Sequence, residues 1–199
     1  MSFHRFYENE QERRKWQNPE DILKSIGLRK GSTFVDVGCG EGFFTIPAAK
    51  LAGRNGKVYG VDVNAEAIDF LSNKANRAGL DNLTLKVGSA EETLLCEACA
   101  DLVFFGIVLH DFDNVHEVLA NARRMLKPSG LLADLDWKKE PMPFGPPLRI
   151  RFSEEDAVGI IEEADFKIES VKASGQYNYL IVARPKAANS RTLSNRDTS

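Results

Sequence analysis

Residues 33–42 read Thr33-Phe34-Val35-Asp36-Val37-Gly38-Cys39-Gly40-Glu41-Gly42, a short apolar run followed at once by a glycine-rich turn. The run is rich in β-branched residues, which is typical of a strand buried on both faces of a parallel sheet. Glycines let the chain turn tightly and bring backbone amides close to a ligand, because no Cβ is in the way. This stretch therefore predicts a strand, a ligand-binding turn and the start of a helix.

The alternation of strand and helix continues along the chain and predicts an α/β fold. Further strands are predicted at 57–62, 83–87, 101–108 and 131–135, and helices at 43–51, after Asn64 and at 114–127. Ser153 and Asp156 predict the cap of a helix that runs to Ala164, and 166–171 with 177–183 predict a β-hairpin. Helices between strands imply a parallel sheet covered on both faces, here of seven strands and mostly parallel, with the C-terminal hairpin adding an antiparallel strand.

Composition limits the class of protein. The chain has 199 residues, with 26 basic and 29 acidic side chains and a formal charge of −3, so a strongly basic nucleic-acid surface is not expected. It has no apolar run long enough for a membrane span and no signal-peptide pattern. Its three cysteines do not make a disulfide framework. A cytoplasmic, reduced protein is expected, with one domain over 1–185, an N-terminal helical cap over 1–30 and a disordered tail over 186–199.

An acidic residue at the end of the second strand predicts a nucleoside site. Asp62 stands 20 residues after Gly42, and a carboxylate there can accept hydrogen bonds from both hydroxyls of a ribose. The turn has the spacing G-x-G-x-G, whereas dinucleotide sites use G-x-G-x-x-G. Asp36 beside the turn would repel a pyrophosphate but suits a ligand with an ammonium group. A nicotinamide-dependent oxidoreductase is therefore a disfavoured alternative.

These residues together resemble the class I S-adenosylmethionine-dependent methyltransferases, whose first motif is similar to residues 35–42. The resemblance covers residues 18–184 and includes Asp62, Gly88-Ser89-Ala90-Glu91, the strand 101–105, residues 126–131 and the final hairpin. The segment Val108-Leu109-His110-Asp111-Phe112 is similar to the ubiquinone-biosynthesis and arsenite-type branch, methyltransferase type 11. The resemblance implies a Rossmann-like sheet, S-adenosylmethionine as cofactor, S-adenosylhomocysteine as product and a small-molecule acceptor.

The resemblance also implies a set of cofactor-binding residues. Asp36 and the glycine turn would hold the methionine end, Asp62 the ribose, and Gly106 would lie near the methionyl group. Val63 would pack against the adenine. Ser89 and Ala90 would form hydrogen bonds with the amine and the ring nitrogen of the adenine. Relatives often carry Asp where this chain has Ser89, so that contact loses its charge assistance. The implied set is Asp36, Gly38, Cys39, Gly40, Gly42, Asp62, Val63, Ser89, Ala90 and Gly106.

His110 is the candidate catalytic residue, because it follows the fourth strand at the edge of the sheet where ligands bind. A neutral imidazole could take a proton from the acceptor. The alternative is that His110 only shapes the pocket. We favour this alternative because the sequence offers no obvious partner to orient the ring. Asp111 and Asp113 are expected to cap the helix that begins near Asn114.

Other polar groups are weaker candidates. Cys96-x-x-Cys99 has the spacing of half a zinc site without a second pair, so two partly buried thiols are favoured over a redox pair. Asp134 and Asp136 form an incomplete set for a metal-dependent transferase, and no metal is predicted. Several aromatic side chains near the N-terminus would either close over the site or pack the first helix: Phe3, Phe6, Tyr7 and Trp16.

The function predicted from the sequence is methyl transfer to a small-molecule acceptor whose identity the sequence does not give. The oligomeric state is not predicted either. A binding module that holds S-adenosylmethionine without turnover is the alternative from a different class. Formation of S-adenosylhomocysteine with a supplied acceptor separates the two.

Overall fold

A computed structural model of the protein describes residues 10–187. The predicted roles of Phe3, Phe6 and Tyr7, and of the tail from residue 188, lie outside these residues. The strands are β1 (Thr33–Val37), β2 (Lys57–Asp62), β3 (Leu83–Val87), β4 (Ala100–Gly106), β5 (Leu126–Trp137), β6 (Phe166–Ser174) and β7 (Asn178–Pro185). The helices are α1 (Glu10–Trp16), α2 (Pro19–Ser25), α3 (Thr45–Ala52), α4 (Ala65–Arg77), α5 (Val115–Met125) and α6 (Glu154–Glu163), with a 3₁₀ turn at Leu109–Asp111.

The strands form one sheet in the order β3-β2-β1-β4-β5-β7-β6. β1 to β5 pair in parallel, whereas β7 runs antiparallel to both β5 and β6. The predicted fold class is therefore confirmed. The strand order departs in opposite directions from β1 and β4, and a ligand crevice is expected beyond the carboxyl ends of these two strands.

Alternate residues of β1 explain why helices cover both faces of the sheet. Phe34 packs with Leu23 of α2 and Ala48 of α3 on one face, whereas Val35 packs with the α5 side on the other. All four of the last residues of β1 are buried. β1 is therefore buried on both faces of the sheet, as its apolar sequence predicted, because helices cover both faces.

Local capping signals were also confirmed. The side chain of Asn64 accepts hydrogen bonds from the backbone amides of Glu66 and Ala67 at the start of α4. Ser153 and Asp156 form a reciprocal capping box at the start of α6. The helix α5 is capped by Asn114 itself, whose side chain accepts from the Glu117 amide, so the expected capping by Asp111 and Asp113 is wrong.

Several element boundaries differ from the prediction, most of all the start of β5. β5 begins at Leu126, whereas the sequence predicted a helix to Lys127 and a strand from Leu131. Pro128 disfavours helical geometry in the residue before it, and the buried Leu126 is already extended and pairs with Ala100 of β4. β4 ends at Gly106 and not at Val108, because Ile107 turns the chain with a φ of 65°.

The cysteine prediction also needs correction. Cys96 and Cys99 are joined as a disulfide, with 6.0 Å between their Cα atoms, so these two residues are not the reduced thiols expected. Cys39 is a free, buried thiol. Within residues 10–187, no helix combines the length and apolarity that crossing a membrane requires.

Candidate active site

A cavity of about 300 Å³ opens beyond the carboxyl ends of β1, β2, β4 and β5. Seven of the predicted site residues line it: Asp36, Gly38, Cys39, Gly40, Asp62, Gly106 and His110. Four others do not, namely Gly42, Val63, Ser89 and Ala90. Residues from α1, from the glycine turn and the two residues after it, from the segment after β4, and from the end of β5 and its following loop complete the lining: Glu10, Arg13, Glu41, Phe43, Phe44, Ile107, Val108, Asp111, Trp137, Gly145 and Pro146.

The glycine turn is anchored to the end of β2. The backbone amides of Gly38 and Cys39 both donate to the carbonyl oxygen of Val61, at 2.9 and 3.0 Å. Gly38 has a φ of 72°, and a Cβ there would lie 2.5 Å from Cγ2 of Val108. Gly42 has a φ of 86° and faces away from the cavity, where a Cβ would collide with Leu71 of α4. The first glycine thus shapes the cavity, and Gly42 allows α4 to pack closely.

Asp62 connects the glycine turn to the segment that follows β2. Its Oδ2 accepts a hydrogen bond from the Gly40 amide at 2.8 Å, and its Oδ1 accepts from the Asn64 amide at 2.9 Å. A carboxylate has about four lone-pair sites, so each oxygen retains capacity for a ligand hydroxyl. Val63, the next residue, is 72% exposed at the same edge of the sheet, outside the lining of the cavity.

Asp36 is a buried carboxyl group in the wall of the cavity. Burial raises the pKa of Asp36 to about 7, although the hydroxyl of Thr45 donates to its Oδ2 at 2.6 Å. The charge of Asp62 raises this pKa further, and the charge of Arg13 lowers it. A positively charged ligand group beside Asp36 would compensate for the burial of its negative charge.

Cys39 lies in the same turn, and its burial, together with the charges of Asp36 and Asp62, raises the pKa of the thiol. The thiol therefore stays protonated at neutral pH and is not a nucleophile.

The segment after β3 is organised by a residue that the sequence did not single out. Asn121 of α5 donates from its side-chain amide to the backbone oxygens of Ala90 and Glu91. The hydroxyl of Ser89 donates to the carboxylate of Glu91 and accepts from the Glu91 amide at 3.1 Å. The Ser89 hydroxyl is thus already engaged within its own turn.

His110 has the orienting partner that the sequence did not reveal. Its Nδ1 lies 2.8 Å from both carboxylate oxygens of Asp136, and the two side chains are only 3% and 2% exposed. Because a carboxylate only accepts hydrogen bonds, Nδ1 carries the proton and Nε2 is the basic nitrogen. Burial lowers the pKa of His110, but the hydrogen bond and charge of Asp136 outweigh it, so the net pKa is raised.

A buried chain of amide hydrogen bonds extends from the backbone of Asp136 to α1. The carbonyl oxygen of Asp136 accepts from the Asn178 side chain at 3.2 Å, and the oxygen of that side chain accepts from Gln17 at 3.1 Å. Both amide side chains are buried. The Asp136 carboxylate also accepts from the Trp137 amide at 2.7 Å. These bonds fix β5, β7 and α1 around the histidine.

Asp134 lies two residues before Asp136 on β5 and is fully buried. Burial, followed by the charge of Asp136, raises the pKa of Asp134 well above its ordinary value. Neither of its oxygens has a hydrogen-bond partner among the described residues. Across residues 10–187 no cluster of three or more metal-ligating side chains occurs.

Arg151 organises the proline-rich loop after β5 and was not predicted. Its buried guanidinium donates to four backbone carbonyl oxygens of that loop, at distances of 2.7 to 3.2 Å: those of Lys138, Glu140, Phe144 and Pro146. Gly145 and Pro146 line the cavity. The loop wall of the cavity therefore depends on one arginine.

Aromatic rings and a strained residue form the end of the cavity nearest β4 and β5. Phe43, Phe44 and Trp137 line it. Trp16 does not line it but packs on Trp137, with 5.7 Å between ring centroids, so this residue helps to hold α1 on the sheet. Ile107 also lines the cavity with a φ of 65°, which is rare for a β-branched residue and occurs most often at functional sites.

Comparison with known families identifies one match that covers most of the chain. Residues 28–174 match the family model described as a methyltransferase domain. A demethylmenaquinone methyltransferase from Geobacillus stearothermophilus is 30% identical over 131 residues, which are 66% of this chain and 55% of the relative. The chain thus spans about half the length of the curated relatives that it matches.

One solved structure supports the same grouping, and a second shares the fold. A SAM-dependent methyltransferase from Aquifex aeolicus is 33% identical, with a TM-score of 0.82 over 86% of this chain and 91% of that chain. The [4+2]-cyclase SpnF is 14% identical, with a TM-score of 0.72 over 85% of this chain and 82% of that chain. The second likeness concerns the fold alone, and a fold can serve different chemistries.

Proposed function

This chain belongs to the methyltransferase domain family, and from that premise we propose that it transfers a methyl group from S-adenosylmethionine to a small-molecule acceptor. The observation that carries the proposal is the cavity that brings Asp36, the glycine turn and Asp62 together at the switch in strand order. The family match argues against the nicotinamide-dependent alternative.

The residues present fit the cofactor at its ammonium group and at its ribose hydroxyls. The buried carboxyl of Asp36 suits the ammonium of the methionyl group. Gly40 has open space where a Cβ would stand, so a ligand can approach its backbone. Asp62 suits the ribose hydroxyls, and Val63, Ser89 and Ala90 form the proposed adenine side beyond the cavity. Gly106 would lie near the methionyl group, where a Cβ would collide with Phe44 and Phe104.

When bound, S-adenosylmethionine supplies a methyl group on a sulfonium that is a good leaving group. The protein then has to align the acceptor with that methyl, and orientation of this kind can contribute about 7–11 kcal/mol. Phe43, Ile107 and Trp137 would provide an apolar surface against which an acceptor is held. Binding and alignment are thus the main tasks that this proposal gives to the cavity.

We further assign His110 the role of general base for an acceptor that loses a proton. With Nδ1 held by Asp136, Nε2 is the nitrogen that accepts the proton, and the carboxylate stabilises the imidazolium that forms. His110 touches the cavity, whereas Asp136 acts through it as a positioning residue. The pairing reverses the preference for a merely structural His110, because the missing partner was the reason for that preference.

The proposal also includes the setting of the reaction. The described residues act as one methyltransferase domain, with α1 and α2 as an N-terminal cap, in the cytoplasm and without a nucleic-acid substrate. The relative's substrate, a demethylmenaquinone, belongs to the small-molecule class proposed here.

Turnover is the test, because binding alone would not distinguish an enzyme from a binding module. The protein is incubated with S-adenosylmethionine carrying a labelled methyl group and with a small-molecule extract, and S-adenosylhomocysteine is measured. We expect product formation with label in a small molecule, and its loss in Asp62→Ala. Tight binding of S-adenosylhomocysteine without any turnover would contradict the enzymatic proposal and favour a binding module.

A further inference from the structure

The helix α1 forms part of the cavity wall and is held in place at both ends. Its first residue, Glu10, pairs with Lys74 of α4 at 2.7 Å. Near its other end, the buried Gln17 donates to Asn178 of β7 at 3.1 Å. A short helix with no buried residues of its own would otherwise have little to fix it on the sheet. Arg13 lies between these two anchors and lines the cavity.

The guanidinium of Arg13 has a defined orientation. It stacks over the ring of Phe43, with 3.8 Å from its central carbon to the ring centroid. Its Nε donates to the side-chain oxygen of Gln17 at 2.7 Å. Stacking on an aromatic face and a hydrogen bond at Nε reduce the number of conformations that the long side chain can adopt. Because the guanidinium is already held in one orientation, it loses little conformational entropy when it binds a carboxylate.

The cavity therefore presents to a ligand the guanidinium of Arg13 together with acidic side chains, among them the buried Asp36. Phe43, on whose ring the Arg13 guanidinium stacks, is the first residue after the glycine turn. Asp36 lies near the other end of that turn, one residue before the end of β1. Arg13 is close enough to Asp36 for its charge to oppose the rise in the pKa of that carboxyl. An amino-acid group carries an ammonium and a carboxylate on one carbon, so it can satisfy both residues at once.

We propose that Arg13 binds the α-carboxylate of the amino-acid group of S-adenosylmethionine and S-adenosylhomocysteine, opposite the ammonium at Asp36. This inference rests on the proposed function. Arginine matches the carboxylate geometry with paired N–H donors, which an ammonium side chain does not offer. Helix α1 is then a part of the cofactor site, and its anchoring by Glu10 and Gln17 serves cofactor recognition.

The neighbouring Arg14 is the matched control. It is on the same helix but does not line the cavity, and its guanidinium is engaged by Glu10 at 3.0 Å and Glu20 at 2.8 Å. Substitution of either arginine by glutamine removes one positive charge from α1. A long-range electrostatic effect would therefore be common to both variants, whereas a direct contact would be confined to Arg13.

The test measures the binding of two ligands to three proteins, the parent, Arg13→Gln and Arg14→Gln, by calorimetric titration. The ligands are S-adenosylhomocysteine and its decarboxylated analogue, which keeps the amine but lacks the carboxylate. We expect Arg13→Gln to weaken S-adenosylhomocysteine binding by about 10- to 100-fold, the range for a charged hydrogen bond. The same substitution should change the affinity for the analogue by less than about threefold, because the analogue lacks the carboxylate that Arg13 would bind. Arg14→Gln should bind both ligands as the parent does.

Other outcomes overturn the inference. Equal weakening of both ligands by Arg13→Gln would mean that Arg13 acts only by supporting α1. If Arg13→Gln binds both ligands as the parent does, Arg13 does not contact the cofactor, and its guanidinium either binds a carboxylate of the acceptor or contacts no ligand. Arg13→Lys, which retains the charge, serves if the glutamine variant does not fold, and an intermediate loss confined to S-adenosylhomocysteine is expected. Failure of the parent protein to bind S-adenosylhomocysteine would instead contradict the proposed function itself.

Discussion

The Nδ1 atom of His110 is 2.8 Å from each carboxylate oxygen of Asp136, although the two residues are 26 positions apart in the chain. The pairing depends on the register of β4 against β5, in which Gly106 lies beside Leu135. That register brings the turn after β4 next to the end of β5. A histidine in a loop thereby gains a fixed tautomer and a defined basic nitrogen.

Asp136→Asn tests whether this pair serves catalysis. The carboxylate raises the pKa of His110, so the parent rate should rise with pH through an inflection above 6.5, where neutral imidazole forms. In the variant, burial and the charge of Arg151 lower the pKa of the ring and only the charge of Asp111 still raises it, so the inflection should move to lower pH with a reduced maximal rate. The measurement is the pH dependence of S-adenosylhomocysteine formation under saturating cofactor.

His110→Gln is the companion variant for that experiment and should lower turnover by roughly 10²–10⁴-fold with cofactor affinity intact. An unchanged pH profile in Asp136→Asn would mean that His110 has only a structural role.

The pairing of His110 with Asp136 also affects the stability of the fold. Because the pKa of His110 is raised, its contribution to stability is present below about pH 6.5 and is lost as pH rises through the raised value.

Asp36 predicts a pH dependence of cofactor binding. With its pKa near 7, the carboxyl is largely protonated at pH 6 and must ionise to hold an ammonium. S-adenosylhomocysteine should therefore bind more tightly at pH 8 than at pH 6, with proton release at the lower pH that approaches about one per site. Calorimetry in buffers of different ionisation enthalpy measures this release. Asp36→Asn should bind more weakly and without the release, whereas a flat parent profile would refute the assignment.

The Arg151 loop predicts a loss of stability when its arginine is replaced. Arg151→Met leaves four backbone carbonyls of the loop without their donor, and we expect the free energy of unfolding to fall by about 3 kcal/mol or more. The exposed Arg149→Met is the control and should change it by less than about 0.5 kcal/mol. Urea unfolding at neutral pH measures both. A wild-type unfolding midpoint for Arg151→Met would show that the loop does not depend on this side chain.

Asp62→Ala tests the nucleoside end of the cavity. Removal of the carboxylate should weaken S-adenosylhomocysteine binding by about 1.5–3 kcal/mol, the range for hydrogen bonds to a charged group. The melting temperature should also fall modestly, because the Gly40 and Asn64 amides lose their acceptors. Asp69→Ala, an exposed change on α4, controls for the loss of charge. Parent-like affinity in a folded Asp62→Ala protein would mean that the nucleoside lies elsewhere.

The parts of the fold predicted well from sequence are those governed by local signals. The bounds of β1, β2 and β3 agree with the prediction because each is a short run rich in apolar residues that ends at a local signal: Gly38 follows β1, the acidic Asp62 ends β2, and Gly88 follows β3. Asn64 and Ser153 were identified as caps because a side chain that caps a helix acts within three residues of itself. The glycine turn and Asp62 were likewise placed at one cavity, since parallel strands end at the same edge of the sheet.

The parts that were missed depend on contacts between distant segments. Asp136 was considered only as a metal ligand because the sequence does not give the register of β5 against β4. Arg151 follows a proline-rich loop and would ordinarily be expected on the surface, so nothing local indicates its burial. Arg13 lies in a helix without buried residues, and only the packing of α1 on the sheet brings it to the cavity.

Calorimetric titration of the parent protein with S-adenosylhomocysteine, and in parallel with NAD, tests whether the cavity is a site for the methyltransferase cofactor. We expect one site for S-adenosylhomocysteine and none for NAD, because the acidic Asp36 suits an ammonium and repels a pyrophosphate. The same ligand should raise the melting temperature, since it binds only the folded protein. Binding of NAD without binding of S-adenosylhomocysteine would contradict the account.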